Sequence, residues 1–367
     1  MWQLTATETI TTNARTLGID PFVETGIGEA DFVTLVLPYI HSAREGVVRL
    51  GKLLQKYGTY EPNGIAFSDN NEVWYLETIG GHHWAAIKIP DDDYAVISNR
   101  MSIQKFDFSS SDTLASPDLK ELIEQHHLNP KNDTVNLRQI FGSSSDSDIL
   151  YNNPRVWYGH RYFDPATKEQ PEAMDLPMLV KAPRKISVED IKYVLSSHYQ
   201  FTPYDPYGKA PEAGKYRTIG INRNLETHIL QIRNNVASKI AAIHWLSFGP
   251  TTFNSVVPFY ANVADTPASY CDASAQFDLT KTYWLNRTIA LLGDTNYKLY
   301  AAIAEKFDQA TDASCRHVQQ QFDQTGTDLE QANEKMATIN HENSMKLFSQ
   351  MVAAGVPLMK IGYNLTD

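Results

Sequence analysis

Residues 64–98 read GIAFSDNNEVWYLETIGGHHWAAIKIPDDDYAVIS, and this stretch decides the fold class. Apolar β-formers fill 64–69 and 72–78, with the turn pair Asn70 and Asn71 between them, so a β-hairpin is expected. Gly80 and Gly81 turn the chain into 83–89, and Asp91, Asp92 and Asp93 turn it again into 94–98. The expectation is an antiparallel meander of about four strands. The acidic triplet reads as a solvated turn, because no further spaced oxygen ligands for calcium accompany it.

Upstream, the opening dozen residues are Thr-rich and weakly alternating, which predicts an extended segment. Between 28 and 58 the period becomes helical, with Phe32, Leu35 and Val36 before Pro38, then Val47, Leu50 and Leu54; Pro38 should divide the helix. Downstream, Ser116, Pro117 and Asp118 predict a helix start, 142–148 (GSSSDSD) a polar loop, and 151–163 a helix. Ser187 and Asp190 have capping-box spacing for a helix to 198, and 204–220 reads as a surface loop or lid. Strand patterns return at 225–233 and 239–248. After Lys281 the chain turns helical: Leu285, Ile289, Leu292, Leu299, Ile303 and Phe307 form one stripe, with Gly293 and Asp294 as an expected stop. A last helix is expected from Thr327, capped with Glu330, carrying a core stripe of Leu329, Met336, Ile339, Leu347 and Met351. Segregated antiparallel strands with covering helices predict a layered α+β fold, organised as one domain over 1–367 with a strand and helix core to about 280 and a helical part over 281–355.

The chain has 367 residues, 42% hydrophobic, with 43 acidic against 32 basic side chains and a net charge of −11. That balance, without a Lys/Arg run, argues against a nucleic-acid partner. No apolar stretch approaches the ~18 residues of a membrane span, and the opening residues have no signal-peptide pattern, so a cytoplasmic location is the expectation. Cys271 and Cys315 make neither a disulfide framework nor a zinc pattern and read as buried thiols. No GxGxxG, P-loop, HExxH or GxSxG motif is present.

The residues left to carry chemistry are few. Glu77, His82 and His83 flank the Gly-Gly turn, where a close backbone approach with polar groups would suit a ligand; the alternative is a hairpin end whose histidines cap neighbouring carbonyls. His126 and His127 sit at a helix end, a place for structural cations. Asn99, closing the strand 94–98, has an uncharged amide able to donate to a developing oxyanion, against the alternative of a turn asparagine. Arg155, in NNPRVWYGHR, suits either a carboxylate, such as a peptide terminus, or an internal ion pair. A metal site on His82 and His83 is disfavoured, since adjacent residues of an extended chain point to opposite faces.

Residues 26–101, from GIGEADFVTLVLPYIHSAREGVVRLGKLLQKYG onward through ETIGGHHWAAIKIP to SNRM, followed by FGSSSDSDILYNNPRVWYGHR, resemble the bacterial C69 family of dipeptidases over nearly the whole chain. The resemblance implies an N-terminal-nucleophile hydrolase with a four-layer αββα fold that cuts dipeptides of broad sequence through a cysteine acyl-enzyme, without metal or other cofactor. It implies dipeptide substrates as partners, with a homo-oligomer left open. Asn99 is similar to an oxyanion-site asparagine and Arg155 to an arginine that sets the site's charge balance, while Glu77, His82 and His83 fall in the family's substrate-side stretch. The family's nucleophile is a cysteine freed as the first residue, whereas this sequence begins Met1, Trp2. A missing leading segment is therefore expected, with Thr7, Glu8 and Thr9 next to it, and little turnover by the chain as written. The alternative is a non-catalytic peptide-binding remnant that keeps the cleft.

Overall fold

The computed structural model describes residues 2–130 and 134–360, with side chains from Ile10 onward. The chain divides into two compact units, 1–186 and 187–367.

The first unit is built on a five-stranded antiparallel sheet in the order β1-β2-β3-β4-β6. Its strands are β1 (Trp2–Thr9), β2 (Asn63–Asp69), β3 (Val73–Thr78), β4 (Trp84–Ile89) and, beyond a short β5 (Asp93–Ala95), β6 (Thr113–Ala115). Period-2 alternation splits the sheet into two buried faces. Ile65, Phe67, Trp74, Leu76, Trp84 and Ala86 share one face with two helices of the first sixty residues. After α1 (Ala14–Ile19), these are α2 (Glu29–Val36) and α3 (Ala43–Tyr57). As Pro38 predicts, a single 3-10 turn, Leu37–Tyr39, separates them from continuous helix. Ser42 caps α3, its hydroxyl accepting the Glu45 N–H at 3.2 Å, and Gly58 ends it at φ +70°. The helix lies close on the sheet because Gly46 and Gly51 face it: a Cβ on Gly51 would sit 2.2 Å from the Trp84 ring.

The other face carries Tyr75, Ala85 and Ile87, packed against Met101, Ile103, Leu119, Leu137 and Phe141. This layer includes α4 (Leu119–Gln125) and α5 (Leu137–Phe141). Further along the chain, α6 (Asn153–Phe163) is entered through a π-helical turn, Asp148–Asn152. The expected fourth strand of the meander is not there. Pro90 and the acidic turn carry the chain away, and β5 pairs with β7 (Leu179–Lys181) instead. The vacant edge of β4 is taken by β6, which pairs Ala86 with Leu114.

The second unit opens with α7 (Val188–Leu195), whose Ser187–Asp190 capping box forms as the spacing predicts. A three-stranded antiparallel sheet follows, in the order β10-β9-β8, from β8 (Glu226–Ile232), a short α8 (Ser238–Ala241), β9 (Ala242–Phe248) and β10 (Val257–Tyr260). Three helices complete it: α9 (Thr282–Thr295), α10 (Tyr297–Thr325) and α11 (Leu329–Gly355). Ile243, Trp245 and Val257 of the sheet pack against Cys315, Val318, Ala332 and Met336 of α10 and α11. Asn333 of α11 joins helix to strand, its amide donating to the Tyr260 carbonyl at 3.0 Å and accepting the Tyr260 N–H at 2.9 Å.

Several expectations change. Residues 239–241 belong to a helical turn rather than to the strand, and β10 is a third strand that the sequence pattern did not reveal. Gly293 is no helix stop: α9 runs to Thr295, and the glycine admits the Phe253 ring, which a Cβ would meet at 2.6 Å. Thr327 forms no capping box with Glu330. Its hydroxyl bonds Asp328, which takes the left-handed conformation at φ +56° and itself precedes α11. Of the two cysteines expected to be buried, Cys315 is and Cys271 is exposed. The core stripe of α11 holds for Leu329, Met336, Leu347 and Met351, which are buried, while Ile339 is only partly buried. Among the described residues, no helix is long and apolar enough to cross a membrane.

Candidate functional site

In the first unit, the segment from Ser98 to Ile103 crosses the sheet face that holds Glu77. Alternation along β3 sends Trp74 and Leu76 to one face and Tyr75 and Glu77 to the other, so a carboxylate is delivered into the core. Glu77 is fully buried and accepts the Ser102 N–H at 2.6 Å and the Ile103 N–H at 3.2 Å. Burial pushes its pKa up to about 7, opposed by those two N–H donors and by Arg138. The carboxylate thus clamps the backbone three residues beyond Asn99.

Two buried arginines brace the same segment. Arg100 donates to the Asn153 side-chain oxygen at 2.5 Å and to the Leu176 carbonyl at 3.3 Å, and Arg138 donates to the Met101 carbonyl at 2.8 Å. Burial lowers the pKa of Arg100 to about 9, with Arg138 adding to the effect, and burial likewise lowers Arg138. Arg100 keeps its charge at neutral pH.

Asn99 itself is held by the helix entrance. Arg155 Nη2 donates to Asn99 Oδ1 at 2.6 Å and to Asn152 Oδ1 at 2.7 Å. Asn152 Nδ2 donates to the Asn99 carbonyl at 3.0 Å and to Asp148 Oδ1 at 2.7 Å. Asp148, fully buried, also accepts from the Ser143 hydroxyl at 2.5 Å and the Ser145 N–H at 3.1 Å, and the Ser143 oxygen in turn accepts from the Thr11 hydroxyl at 2.7 Å. Asp148, Asn152 and Arg155 are spaced i, i+4, i+7, one helical face, and the π-turn is what aims that face at Asn99. The network fixes which way the Asn99 amide is turned: the oxygen faces Arg155, so the N–H donors face away from it.

Asn99 and Arg155, singled out separately in the sequence, are therefore direct partners, and Glu77 supports the same segment from behind. His82 and His83 lie elsewhere in the unit. The close approach that Gly80 and Gly81 permit is toward Asp20 and Pro21: a Cβ on Gly80 would meet the Asp20 carbonyl at 2.5 Å, and one on Gly81 the Pro21 carbonyl at 2.1 Å. Asp20 accepts the backbone N–H groups of His82 and His83, each at 3.0 Å to Oδ2, and its Oδ2 lies 2.7 Å from His83 Nδ1. His83 Nε2 reaches Asp118 at 3.4 Å. Burial is the largest single influence on both groups, but the hydrogen bond and charge of Asp20 together with Asp118 raise the His83 pKa on balance, and the His83 ring with the His82 and His83 N–H groups together lower that of Asp20. The side chains of Thr7, Glu8 and Thr9 lie outside the described residues.

Asp148, Asn152, Arg100, Arg138 and Asn153 were not singled out in the sequence. The first two carried a readable signal, since continuing the helix of NNPRVWYGHR back one turn puts them in line with Arg155. The two arginines carried none, being ordinary cations until the fold buries them. Among the described residues, no three His, Cys, Asp or Glu side chains stand close enough to hold a metal ion.

The description of Peptidase family C69 matches residues 2–310, through both units. Probable dipeptidase B of Lactococcus lactis subsp. lactis is 53% identical over 378 residues, covering 99% of this chain and 80% of that protein. Dipeptidase A of Lactobacillus helveticus is 52% identical over 380 residues with the same coverage. Probable dipeptidase A of a Streptococcus pyogenes serotype M3 strain is 44% identical over 375 residues, covering 99% of this chain and 81% of that protein. Identity at this level along almost all of both units leaves one assignment: the chain belongs to peptidase family C69.

Proposed function

We propose that this peptidase hydrolyses dipeptides through a cysteine acyl-enzyme, on a four-layer αββα arrangement of the N-terminal-nucleophile type, with the Asn99–Arg155 pair at the reacting centre. A thiolate adds to the peptide carbonyl, the amine of the second residue leaves with a proton, and water then cleaves the thioester to free the first residue. The names of the relatives support the substrate class. The observation that carries the site is the orientation of the Asn99 amide, held with its oxygen against Arg155 at 2.6 Å.

In this reading the Asn99 N–H donates to the oxyanion of the tetrahedral intermediate, and a donor fixed beforehand stabilises that charge without reorganisation. Arg155, the partly exposed guanidinium of the three, supplies the positive charge that attracts the dipeptide carboxylate. Glu77 keeps the backbone of 102–103, and through it Asn99, from shifting. His82 and His83 belong to a separate cluster with Asp20, elsewhere in the unit.

Leu-Leu hydrolysis by a form whose first residue is the nucleophilic cysteine, followed by release of free leucine, tests the reading. Prior treatment with iodoacetamide should abolish turnover and a chelator should leave it unchanged; turnover indifferent to alkylation would remove the acyl-enzyme. Leu-Leu amide, without the carboxylate, should bind at least tenfold more weakly than Leu-Leu, and equal binding would remove the role of Arg155.

A further inference from the structure

Arg287 and Asp294 of α9 line one cavity of 170 Å³ in the second unit, over an apolar floor that includes Phe253, Ala290 and Leu291. The loop over 204–220 supplies a further wall through Tyr207 and Gly220. Each charge is bonded to another lining residue, which fixes its end of the cavity. Arg287 Nη1 donates to the Asn222 carbonyl at 2.6 Å and to the Asn224 carbonyl at 3.2 Å, while Asp294 Oδ1 accepts the Tyr207 hydroxyl at 2.7 Å. The Tyr207 ring is in turn stacked on Tyr297, with 4.2 Å between centroids. Among the described residues, no carboxylate lies within ion-pair distance of Arg287 and no cation within that distance of Asp294. Arg287 Nε and Nη2 and Asp294 Oδ2 likewise make no hydrogen bond to the described residues. One cavity thus presents open donors of a guanidinium and an open oxygen of a carboxylate, with apolar surface between them. Their spacing selects the length of a ligand that meets both. The two residues lie about 10.5 Å apart along the helix axis. An α-amino acid with a hydrogen bond at each charged end spans roughly 9 Å, and two residues of extended backbone with the same bonds span roughly 13 Å.

We propose that this cavity binds a small zwitterion of dipeptide length. Its carboxylate pairs with Arg287, its ammonium with Asp294, and its body packs on Phe253, Ala290 and Leu291. A volume of 170 Å³ admits small side chains only. The site stands independently of the dipeptidase reading, because every lining residue belongs to the second unit and the test does not use turnover.

The probe is 5-aminopentanoate, which separates an ammonium from a carboxylate by the length of a dipeptide backbone and has no amide to cleave. Titration calorimetry of the 367-residue chain with it at pH 7 should show saturable 1:1 binding. Pentanoate and pentylamine, each with one charge, and glycine, too short to meet both groups, should bind at least tenfold more weakly. Asp294→Asn, at an exposed position where the amide oxygen can still accept from Tyr207, should weaken binding at least fivefold. Arg287→Gln should do the same, with the circular dichroism spectrum unchanged in both variants. Arg155→Gln separates this site from the first unit, and saturation should persist in it. Absence of saturation, equal binding of a singly charged compound, affinity unmoved by both α9 substitutions, or saturation lost with Arg155→Gln would overturn the proposal.

Discussion

Arg155 donates to the side-chain oxygen of Asn99 at 2.6 Å while also donating to Asn152 at 2.7 Å, so one guanidinium sets the orientation of an amide and ties it to the helix entrance. A lysine keeps the charge and loses the planar fork. Arg155→Lys should therefore lower kcat/KM for Leu-Leu by tenfold or more. Asn99→Ala, which removes the proposed oxyanion donor, should lower kcat by about 10²- to 10³-fold with a smaller change in KM. Steady-state kinetics of the cysteine-first form on Leu-Leu separates the two, and a full-rate Asn99→Ala variant would exclude the oxyanion role.

Glu77 makes the first unit sensitive to pH. Its folded-state pKa is raised from 4.5 to about 7, so the folded chain holds a proton between those values that the unfolded chain has lost. The contribution is fully present below pH 4.5 and is lost as pH rises through 7, a change on the order of 3 kcal/mol. Urea midpoints should show this fall from pH 5 to pH 8. In Glu77→Gln the fall should vanish, at a cost in stability at pH 5, because an amide cannot accept from both Ser102 and Ile103 with the same pair of atoms. A wild-type midpoint flat across that range, once other titrations are matched by the variant, would contradict the buried acid.

The Asp20–His83 pair works in a different window. The His83 pKa is raised, so its contribution is complete below the ordinary histidine value of 6.5 and is lost as pH climbs through the raised one. The Asp20 pKa is lowered, so its contribution is complete above the ordinary aspartate value of 3.8 and is lost as pH drops through the lowered one. The pair therefore stabilises most between about pH 4 and 6.5. His83→Gln should lower the urea midpoint most near pH 5.5, and the gap from wild type should close at pH 9. A gap independent of pH would mean that the ring acts by packing alone.

The sequence disclosed the parts of this fold whose signals are local. Alternation in β2 and β3, Pro38 between α2 and α3, and the spacing of Ser187 and Asp190 each reflect contacts within a few residues. What it concealed depends on distant partners. Residues 94–98 have the composition of a strand, but the edge they would have joined is closed by 113–115. Gly293 looks like a terminator until Phe253 is seen against it. The site divides in the same way. Asn99 and Arg155 were each legible as polar residues in suitable places, but their pairing required the π-turn at 148–152, which no periodicity announces. Gly80 and Gly81 did mark a close approach, and the group approached is Asp20, 60 residues upstream of Gly80.

Close packing of α3 on the sheet gives a test of the first core. A methyl on Gly51 would sit 2.2 Å from the Trp84 ring, and that ring is itself enclosed between sheet and helix. Gly51→Ala gains helix propensity of up to ~1 kcal/mol, yet the overpacking it forces costs about 1–3 kcal/mol. The net effect should be a lower melting temperature. Lys52→Ala, one residue on and facing out, should be close to neutral. A stabilised Gly51→Ala would show that Trp84 has room to move.

The two thiols should separate cleanly by reactivity, since the thiolate is the reacting species and both its population and its access differ between them. Cys315 is fully buried within the core of the second unit, and burial pushes its thiol up to about 12, so almost none is ionised at pH 8. Cys271 is exposed, and its Sγ lies 3.1 Å from the Thr266 carbonyl. Ellman's reagent at pH 8 should titrate one thiol in the native chain and two in 6 M guanidinium chloride, and Cys271→Ser should reduce the native count to zero. Because Cys315 packs against the Met336 region of α11 at 3.8 Å, the rate at which its thiol becomes reactive in dilute denaturant should follow opening of the α10–α11 pair. Rapid labelling of Cys315 under native conditions would mean that this helix pair opens far more readily than its buried contacts imply.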